Sequence, residues 1–89
     1  MWTAWQGLPL APSLRAEREK SNLHLRLEDI EDILTEGFDC AGSRRAEGTI
    51  ERCVHSKGRL LKVVVVRSDR RWTREEVWLI IHVGETHEH

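Results

Sequence analysis

One histidine lies inside an apolar run near the end of the chain. His82 is the only ionisable residue of the run VWLIIHV at positions 77–83. Imidazole is the side-chain group whose unperturbed pKa lies closest to neutrality, so it can accept and donate protons near pH 7. His82 is therefore the best titratable candidate for a general acid or base, although a histidine among apolar strand residues more commonly has a structural role. The alternative is a histidine that only packs at the core or rim of a sheet.

Two charged residues precede it in a predicted strand. Arg45 and Glu47 are two positions apart, and alternate residues of a strand point to the same face. Such a pair can orient a bound phosphate group, or it can be a surface salt bridge that contributes little to stability. In the first interpretation, His82, Glu47 and Arg45 are the candidate catalytic residues.

Basic residues are concentrated in the second half of the chain. The formal net charge is -1, but residues 39–75 contain ten Lys or Arg against five acids. This excess can attract a phosphate-bearing ligand, or it can be a solvated sheet surface. In RRWTR, at positions 70–74, Trp72 can stack on a base of single-stranded nucleic acid, or it can fold over the sheet edge. The predicted RNA-binding residues are Arg44, Arg52, Lys62, Arg67, Arg70, Arg71 and Trp72.

Neither the cysteines nor the histidine-rich end indicates a metal site. Cys40 and Cys53 form no CxxC pair and no secretion signal stands near the N-terminus, so we expect free buried thiols in a reducing cytoplasm. The alternative is a disulfide between the two, if they lie on neighbouring segments. His82, His87 and His89 lack the fixed spacing of a closed zinc site. The chain has no phosphate-binding glycine loop and no dinucleotide fingerprint. We therefore expect no cofactor and no metal.

Two helices are predicted in the first half of the chain. Ser13 can cap a short helix that runs to about Lys20. Over residues 27–36, apolar residues recur at helical spacing and five acids occupy the other face, which predicts a surface helix docked on a sheet. Gly37 is placed to end this helix, and Phe38 can fold back on its last turn. The docking face comprises Leu27, Ile30, Ile33 and Leu34.

Three strands should follow the helices. We expect the first over residues 44–56, a tight hairpin at Lys57 and Gly58, and the second over residues 59–67. The third should end at Gly84. The runs LLKVVVV and VWLIIHV are apolar and β-branched enough for strands that are buried on both faces or nearly so. Alternation in the last strand predicts that Glu76, Trp78, Ile80 and His82 share one side.

These elements predict a single α+β domain over residues 13–84. One or two N-terminal helices would pack on an antiparallel meander of three or more strands. Residues 1–12, which contain two prolines and one glycine, should form an irregular arm whose Trp2 and Trp5 can pack on the domain or on a neighbouring subunit. Residues 85–89 should form a flexible polar tail. No apolar run approaches the roughly 20 residues of a membrane span, so we expect no membrane association.

Three motifs, LEDIEDILTEGF, RRAEGTIERCVHSKGRLLKVVVV and EVWLIIHVG, resemble those of a family of small prokaryotic domains of unknown function. The resemblance covers about residues 23–84. Those domains look similar to the RelE-type toxin ribonucleases, with one or two helices on an antiparallel sheet. The family's usual histidine on the first helix has no counterpart here, where Arg15 stands at about that spacing. The residues that match motif positions are Arg45, Gly48, Glu51 and His82.

This resemblance implies an RNA-binding protein and a toxin-like, metal-independent ribonuclease in the cytoplasm. Either His82 or Glu47 would take the proton of the attacking 2′-hydroxyl group, while Arg45, Arg52 and Lys62 would hold the phosphate. The expected partners are RNA, an antitoxin protein and a second copy of the chain, since 89 residues build only a thin core. The alternative is a non-catalytic structural or interaction protein that forms a homodimer through its sheet edge and its N-terminal tryptophans.

Overall fold

The computed structural model describes residues 3–40, 48–69 and 75–87. In chain order the elements are β1 (Ala4–Trp5), β2 (Leu8–Pro12), α1 (Leu14–Asn22), α2 (Leu27–Glu36), β3 (Phe38–Asp39), β4 (Thr49–Ser56), β5 (Arg59–Asp69) and β6 (Glu76–His87). The strands of these ranges form one sheet in the order β1-β2-β6-β5-β4-β3. The predicted α+β class is therefore confirmed. In the same ranges, every helix is too short or too polar to cross a membrane.

The centre of the sheet is an antiparallel meander of β4, β5 and β6, as predicted. Strands β4 and β5 meet at a turn of Lys57 and Gly58, whose φ angles of 51° and 78° lie in the left-handed region. Two successive positive φ angles match the twist of paired strands, and glycine adopts them without steric cost. The predicted hairpin is confirmed.

The sheet includes residues 4–5 and 8–12, so the prediction of an irregular arm is wrong for this part of the chain. Strand β1 is antiparallel to β2, but β2 is parallel to β6, with Leu10 opposite Trp78. The predicted meander is thus extended by one parallel pairing. The physical reason is burial, because Trp5 is buried with its ring centroid 5.2 Å from that of Trp78. This contact outweighs the local tendency of proline to interrupt strands.

Strand β6 continues past its predicted end. Gly84 pairs with Lys62, and His87 pairs with Arg59, so β5 provides hydrogen-bonding partners along this whole length. The predictions of a strand end at Gly84 and of a flexible tail from residue 85 are therefore wrong as far as residue 87. Pairing with a neighbouring strand, and not local composition, decides where β6 ends.

Both helices begin where the sequence predicts them. The Ser13 hydroxyl accepts a hydrogen bond from the Ala16 amide at 3.1 Å, which confirms the predicted N-cap, and α1 ends at Asn22, two residues later than expected. Helix α2 has the predicted bounds, and Ile30 and Leu34 on its docking face are fully buried. That amphipathic pattern is a local property, which explains its success.

Gly37 ends α2 for a reason other than the predicted one. Its φ angle of -74° is an ordinary value, so no left-handed conformation requires glycine here. A Cβ atom at this position would collide with the carbonyl oxygen of Ile33 and would lie 2.6 Å from the carbonyl oxygen of Cys53. Glycine is therefore needed for a close approach of α2 to β4. Phe38 does not fold back on the helix but stacks on His55.

The helices cover one face of the sheet. Helix α1 packs on β6, and α2 packs on β4 and β5. Val63 and Val64 are adjacent on β5, point to opposite faces and are both fully buried, so the centre of this strand is buried on both sides. The core between helices and sheet comprises Trp5, Leu10, Ala16, Ile30, Ile33, Leu34, Leu61, Val63, Val65, Trp78, Ile80 and Val83.

Cys40 and Cys53 form a disulfide, so the prediction of free thiols is wrong. Strand β3 pairs with β4 and places Phe38 opposite Cys53, which leaves Cys40 beside that cysteine. The two Cα atoms are 5.4 Å apart, within the range that a disulfide spans. The pairing of β3 with β4 was not predicted from the sequence, and it is this pairing that brings the sulfur atoms together.

Candidate functional site

Alternation predicted that His82 shares a face of the sheet with Trp78 and Ile80, and this prediction is wrong. Val64 lies opposite His82, whereas Val65 lies opposite Ile80. One residue of β6 is thus extra, and such a β-bulge moves the following side chains to the other face. His82 consequently faces the side of the sheet opposite Trp78 and Ile80, and helix α1 reaches it at the edge of β6, where Glu19 accepts the Val83 N–H beyond the pairing with β2. We call this side the open face; it carries Glu51, Lys62, Val64 and His82, of which Lys62 and His82 are partly exposed and Val64 is fully buried.

A carboxylate from α1 holds the imidazole of His82. Nδ1 of His82 lies 3.0 Å from Oε2 of Glu19 and 3.2 Å from Oε1, and the two side chains are 25% and 24% exposed. A carboxylate at Nδ1 favours the tautomer that carries its proton there, which leaves the lone pair of Nε2 for a substrate. This is the arrangement of a general base that is oriented by a third group.

Glu19 is a candidate that sequence reasoning missed. Its carboxylate also accepts a hydrogen bond from the backbone N–H of Val83 at 3.2 Å, and it lies 3.7 Å from Nε of Arg15. Strand β2 pairs with β6 only over residues 78–80, so the carboxylate satisfies a backbone group that lies beyond this pairing. The spacing of Arg15 and Glu19 predicts an ion pair within the helix, but nothing in the sequence links Glu19 to His82.

Gly84 leaves space for the imidazole. A Cβ atom at this position would lie 2.9 Å from Nε2 of His82 and 3.3 Å from Cε1. Both distances are shorter than the optimal separation of roughly 3.5 to 4.0 Å between carbon atoms, so a side chain here would displace the ring or cover Nε2. Gly84 therefore belongs to the candidate site and is not the strand terminator that the sequence predicts.

Lys62 shares the open face with His82. Its partner on β6 is Gly84, the residue beside which the imidazole lies. The Lys62 ammonium group is 3.5 Å from Oε1 of Glu51, and the two side chains are 33% and 9% exposed. Lys62 thus places an accessible positive charge on the same face as the candidate base.

Arg52 lies on the other face of the sheet, beside the helices. Its Nε donates a hydrogen bond to the carbonyl oxygen of Leu34 at 3.2 Å, and its Nη1 donates one to Asp39 at 2.9 Å. The last carbonyl groups of a helix have no partner within it and carry partial negative charge, so the guanidinium group stabilises the end of α2. The structure therefore does not bring Arg52 together with Lys62 and His82.

Arg67 is exposed and forms an ion pair with Glu76 across β5 and β6 at 2.7 Å. It lies on the same face of the sheet as Arg52. Arg67 pairs with Trp78 and Arg52 pairs with Val63, and both of these partners point to the helix-covered side. The remaining predicted residues lie outside the described ranges. They are the catalytic candidates Arg45 and Glu47 and the RNA-binding candidates Arg44, Arg70, Arg71 and Trp72.

A groove of about 360 Å³ opens on the open face next to Lys62. Phe38 and His55 line it with rings that are stacked at a centroid distance of 5.1 Å. The Cys40–Cys53 disulfide, Leu60 and the ion pair of Glu51 with Lys62 complete the lining. Sequence reasoning missed the groove, because its walls come from three strands whose pairing the sequence only partly predicts.

The open face therefore combines an oriented imidazole, an ammonium group and a groove. The first two can perform general acid–base chemistry beside a phosphate ester and stabilise its negative charge. Among the described side chains, no group of three or more His, Cys, Asp or Glu is placed to hold a metal ion. Comparisons of the chain with protein-family models, curated proteins and solved structures gave no match.

Proposed function

We propose that this protein binds RNA on the open face and cleaves it by metal-independent acid–base chemistry at His82. The observation that carries the proposal is the 3.0 Å contact of Nδ1 with Glu19, which leaves Nε2 beside Gly84. RNA suits such a site because its 2′-hydroxyl group is a nucleophile already adjacent to the phosphate. Cleavage then needs a base, a positive charge and a route for one proton.

In the proposed reaction, Nε2 of His82 accepts the proton of the 2′-hydroxyl group. The 2′ oxygen forms a bond to the adjacent phosphorus as the bond from phosphorus to the 5′ oxygen breaks. The proton reaches the leaving 5′ oxygen through solvent, which returns the imidazole to its neutral form. The products are a 2′,3′-cyclic phosphate and a 5′-hydroxyl end. Glu19 acts as a positioning residue that stabilises the imidazolium ion, since its carboxylate contacts Nδ1.

Positive charge is the second requirement of this reaction. The ammonium group of Lys62 lies on the open face and can stabilise the charge that develops on the phosphate. We further propose that Arg45 and Glu47 contribute to this site, with Arg45 on the phosphate. Additional RNA contacts are proposed for Arg44, Arg70, Arg71 and Trp72, whose types suit backbone and base contacts.

The arrangement of two helices on one face of an antiparallel meander supports a RelE-like fold, to which β1 and β2 would be additions. Under this proposal the partners are an antitoxin protein and a second copy of the chain, and the compartment is the cytoplasm. The Cys40–Cys53 disulfide counts against this compartment, because disulfides are rare where thiols are kept reduced.

The test is RNA cleavage by the purified protein in the presence of a chelator. We expect 2′,3′-cyclic phosphate ends, no cleavage of RNA with 2′-O-methyl groups, and a loss of about 100-fold or more in His82→Gln. The matched control is His24→Asn, which changes an exposed histidine of the turn between the helices and should cleave normally. The proposal is wrong if the native protein leaves RNA intact or if His82→Gln retains its activity.

A non-catalytic interaction protein is the second candidate, and one observation favours it. Several basic side chains already have acidic partners, which reduces the potential that attracts a polyanion. These pairs are Arg59 with Glu85, Lys62 with Glu51 and Arg67 with Glu76. An RNA titration at increasing salt separates the two candidates. Binding that weakens steeply with salt supports the first, whereas a stable homodimer without RNA affinity supports the second.

A further inference from the structure

The groove beside Lys62 has the composition of a site for a flat, polar ring. Its volume of about 360 Å³ falls within the range of roughly 300 to 1,000 Å³ that is typical of small-ligand sites. Its walls are largely aromatic and apolar, and Phe38 is 43% exposed although it is a large hydrophobic residue. An aromatic ring that is left accessible beside a groove offers a stacking surface.

Two opposite charges stand side by side in this lining. Glu51 is an acceptor only, and its side chain is 9% exposed, whereas the ammonium group of Lys62 is a donor only. The two atoms are 3.5 Å apart, so a ligand that joins this pair must present donors next to an acceptor. Because the carboxylate is nearly buried, a ligand that places a second acceptor against it, and not a donor, binds at a large cost in free energy.

Among the RNA bases, guanine has the edge that matches this pair. Its 2-amino and ring N1–H groups are adjacent donors that one carboxylate can accept, and its O6 next to them is an acceptor for an ammonium group. Adenine and cytosine place a ring-nitrogen acceptor beside their amino group, and this acceptor would face the carboxylate. Uracil offers a single N–H between two carbonyl groups. Carboxylate recognition therefore discriminates guanine from the other three bases.

We infer that this groove is a guanine-binding subsite, with Glu51 on the two donors, Lys62 on O6 and the Phe38 ring stacked on the base. The inference deepens the proposed function and rests on it for RNA as the source of the base. Lys62, which lines the groove, pairs with Gly84 on β6, so the groove and the His82 imidazole lie on the same face of the sheet. The ammonium group has three donors, which allows it to contact the base and an adjacent phosphate together.

The experiment measures the binding of guanosine, inosine and adenosine 5′-monophosphates to the native protein by calorimetric titration. We expect guanosine monophosphate to bind at least about tenfold more tightly than adenosine monophosphate, and inosine monophosphate, which lacks the 2-amino group, to lie between them. Glu51→Gln should abolish this preference. Glu85→Gln, which removes a carboxylate that pairs with Arg59 outside the groove, should retain it.

Two further measurements keep the inference testable if Glu51→Gln does not fold. Phe38→Ala changes an exposed ring and should weaken the binding of all three nucleotides by roughly tenfold. RNA oligomers with a single guanosine should be bound more tightly than the free nucleotide and cleaved next to that guanosine. Equal affinity for oligomer and nucleotide would instead overturn RNA as the source of the base.

Equal affinities for the guanine and adenine nucleotides, or no binding of either, would overturn the subsite. Cleavage of RNA without guanine preference would remove the subsite and leave the ribonuclease proposal intact. Guanine-selective binding without any cleavage would support the subsite and remove the ribonuclease. The two proposals therefore fail through different results.

Discussion

The carboxylate of Glu19 lies 3.0 Å from Nδ1 of His82, although the two residues are 63 positions apart in the chain. The same carboxylate accepts a hydrogen bond from the backbone N–H of Val83. It therefore both orients the imidazole and provides a partner for a backbone donor of β6. These two roles can be separated, because alanine removes both whereas glutamine retains an acceptor and removes the charge.

Glu19→Ala should lower the free energy of unfolding by about 1 to 3 kcal/mol, since it leaves a backbone donor without its acceptor. Glu19→Gln should cost less stability in urea melts but should still reduce RNA cleavage about tenfold or more, because an amide does not stabilise an imidazolium ion. The control is Arg15→Gln, which removes an exposed cation 3.7 Å from Oε2 of Glu19 and leaves the carboxylate itself in place. Normal cleavage by Glu19→Gln would show that the carboxylate serves only the fold.

Gly84→Ala should impair cleavage more than it impairs folding. The added methyl group would lie 2.9 Å from Nε2 of His82, so the ring must move or lose access to substrate. We expect a loss of tenfold or more in cleavage rate, with a destabilisation of about 1 to 3 kcal/mol from overpacking. Rates should be compared per folded molecule, with circular dichroism as the measure of folding. An unchanged rate would indicate that Nε2 is not the reacting atom.

Ile30→Ala should lower the free energy of unfolding by about 2 to 5 kcal/mol, because Ile30 is fully buried between α2 and the sheet. Asp32→Ala, two positions later on the exposed side of the same helix, should change stability by no more than about 0.5 kcal/mol. Chemical denaturation of both variants provides the comparison. Similar effects would contradict the docking of α2 through its apolar face.

Reduction of the Cys40–Cys53 disulfide should lower the free energy of unfolding by about 3 kcal/mol, the value for a closed loop of about this length. The measurement is a urea melt with and without reductant. A variant with Cys40→Ser and Cys53→Ser is the control, because reductant should leave its midpoint unchanged. A native protein that is insensitive to reductant would show that the bond does not constrain the folded chain.

Lys62→Gln and Arg52→Gln should affect RNA binding differently. Lys62 is accessible on the open face, whereas Arg52 lies on the helix side and donates to Leu34 and Asp39. Lys62→Gln should reduce the slope of log affinity against log salt by about one unit, and Arg52→Gln should leave that slope unchanged while lowering the melting temperature. A lower slope in Arg52→Gln would place RNA on the helix side instead.

Much of the fold could be predicted because its signals are local. The cap at Ser13, the apolar face of α2 and the turn at Lys57 and Gly58 each depend only on residues that are close together in the sequence. The unpredicted features depend on distant partners. Strand β2 forms because Trp5 and Leu10 are buried against residues near the other end of the chain, and β6 extends because β5 offers it partners.

For the site, the sequence by itself determined that an imidazole lies in an apolar strand and that a lysine and a glutamate lie in neighbouring strands. Only the tertiary structure decided how these groups act together. A β-bulge between Ile80 and His82 moves the imidazole to the open face, and the packing of α1 on β6 brings Glu19 to Nδ1. The periodicity of a sequence predicts which face of a regular strand or helix a residue occupies. The bulge in β6 depends instead on how β6 pairs with β5, and the contact of His82 with Glu19, 63 positions away, depends on how α1 packs.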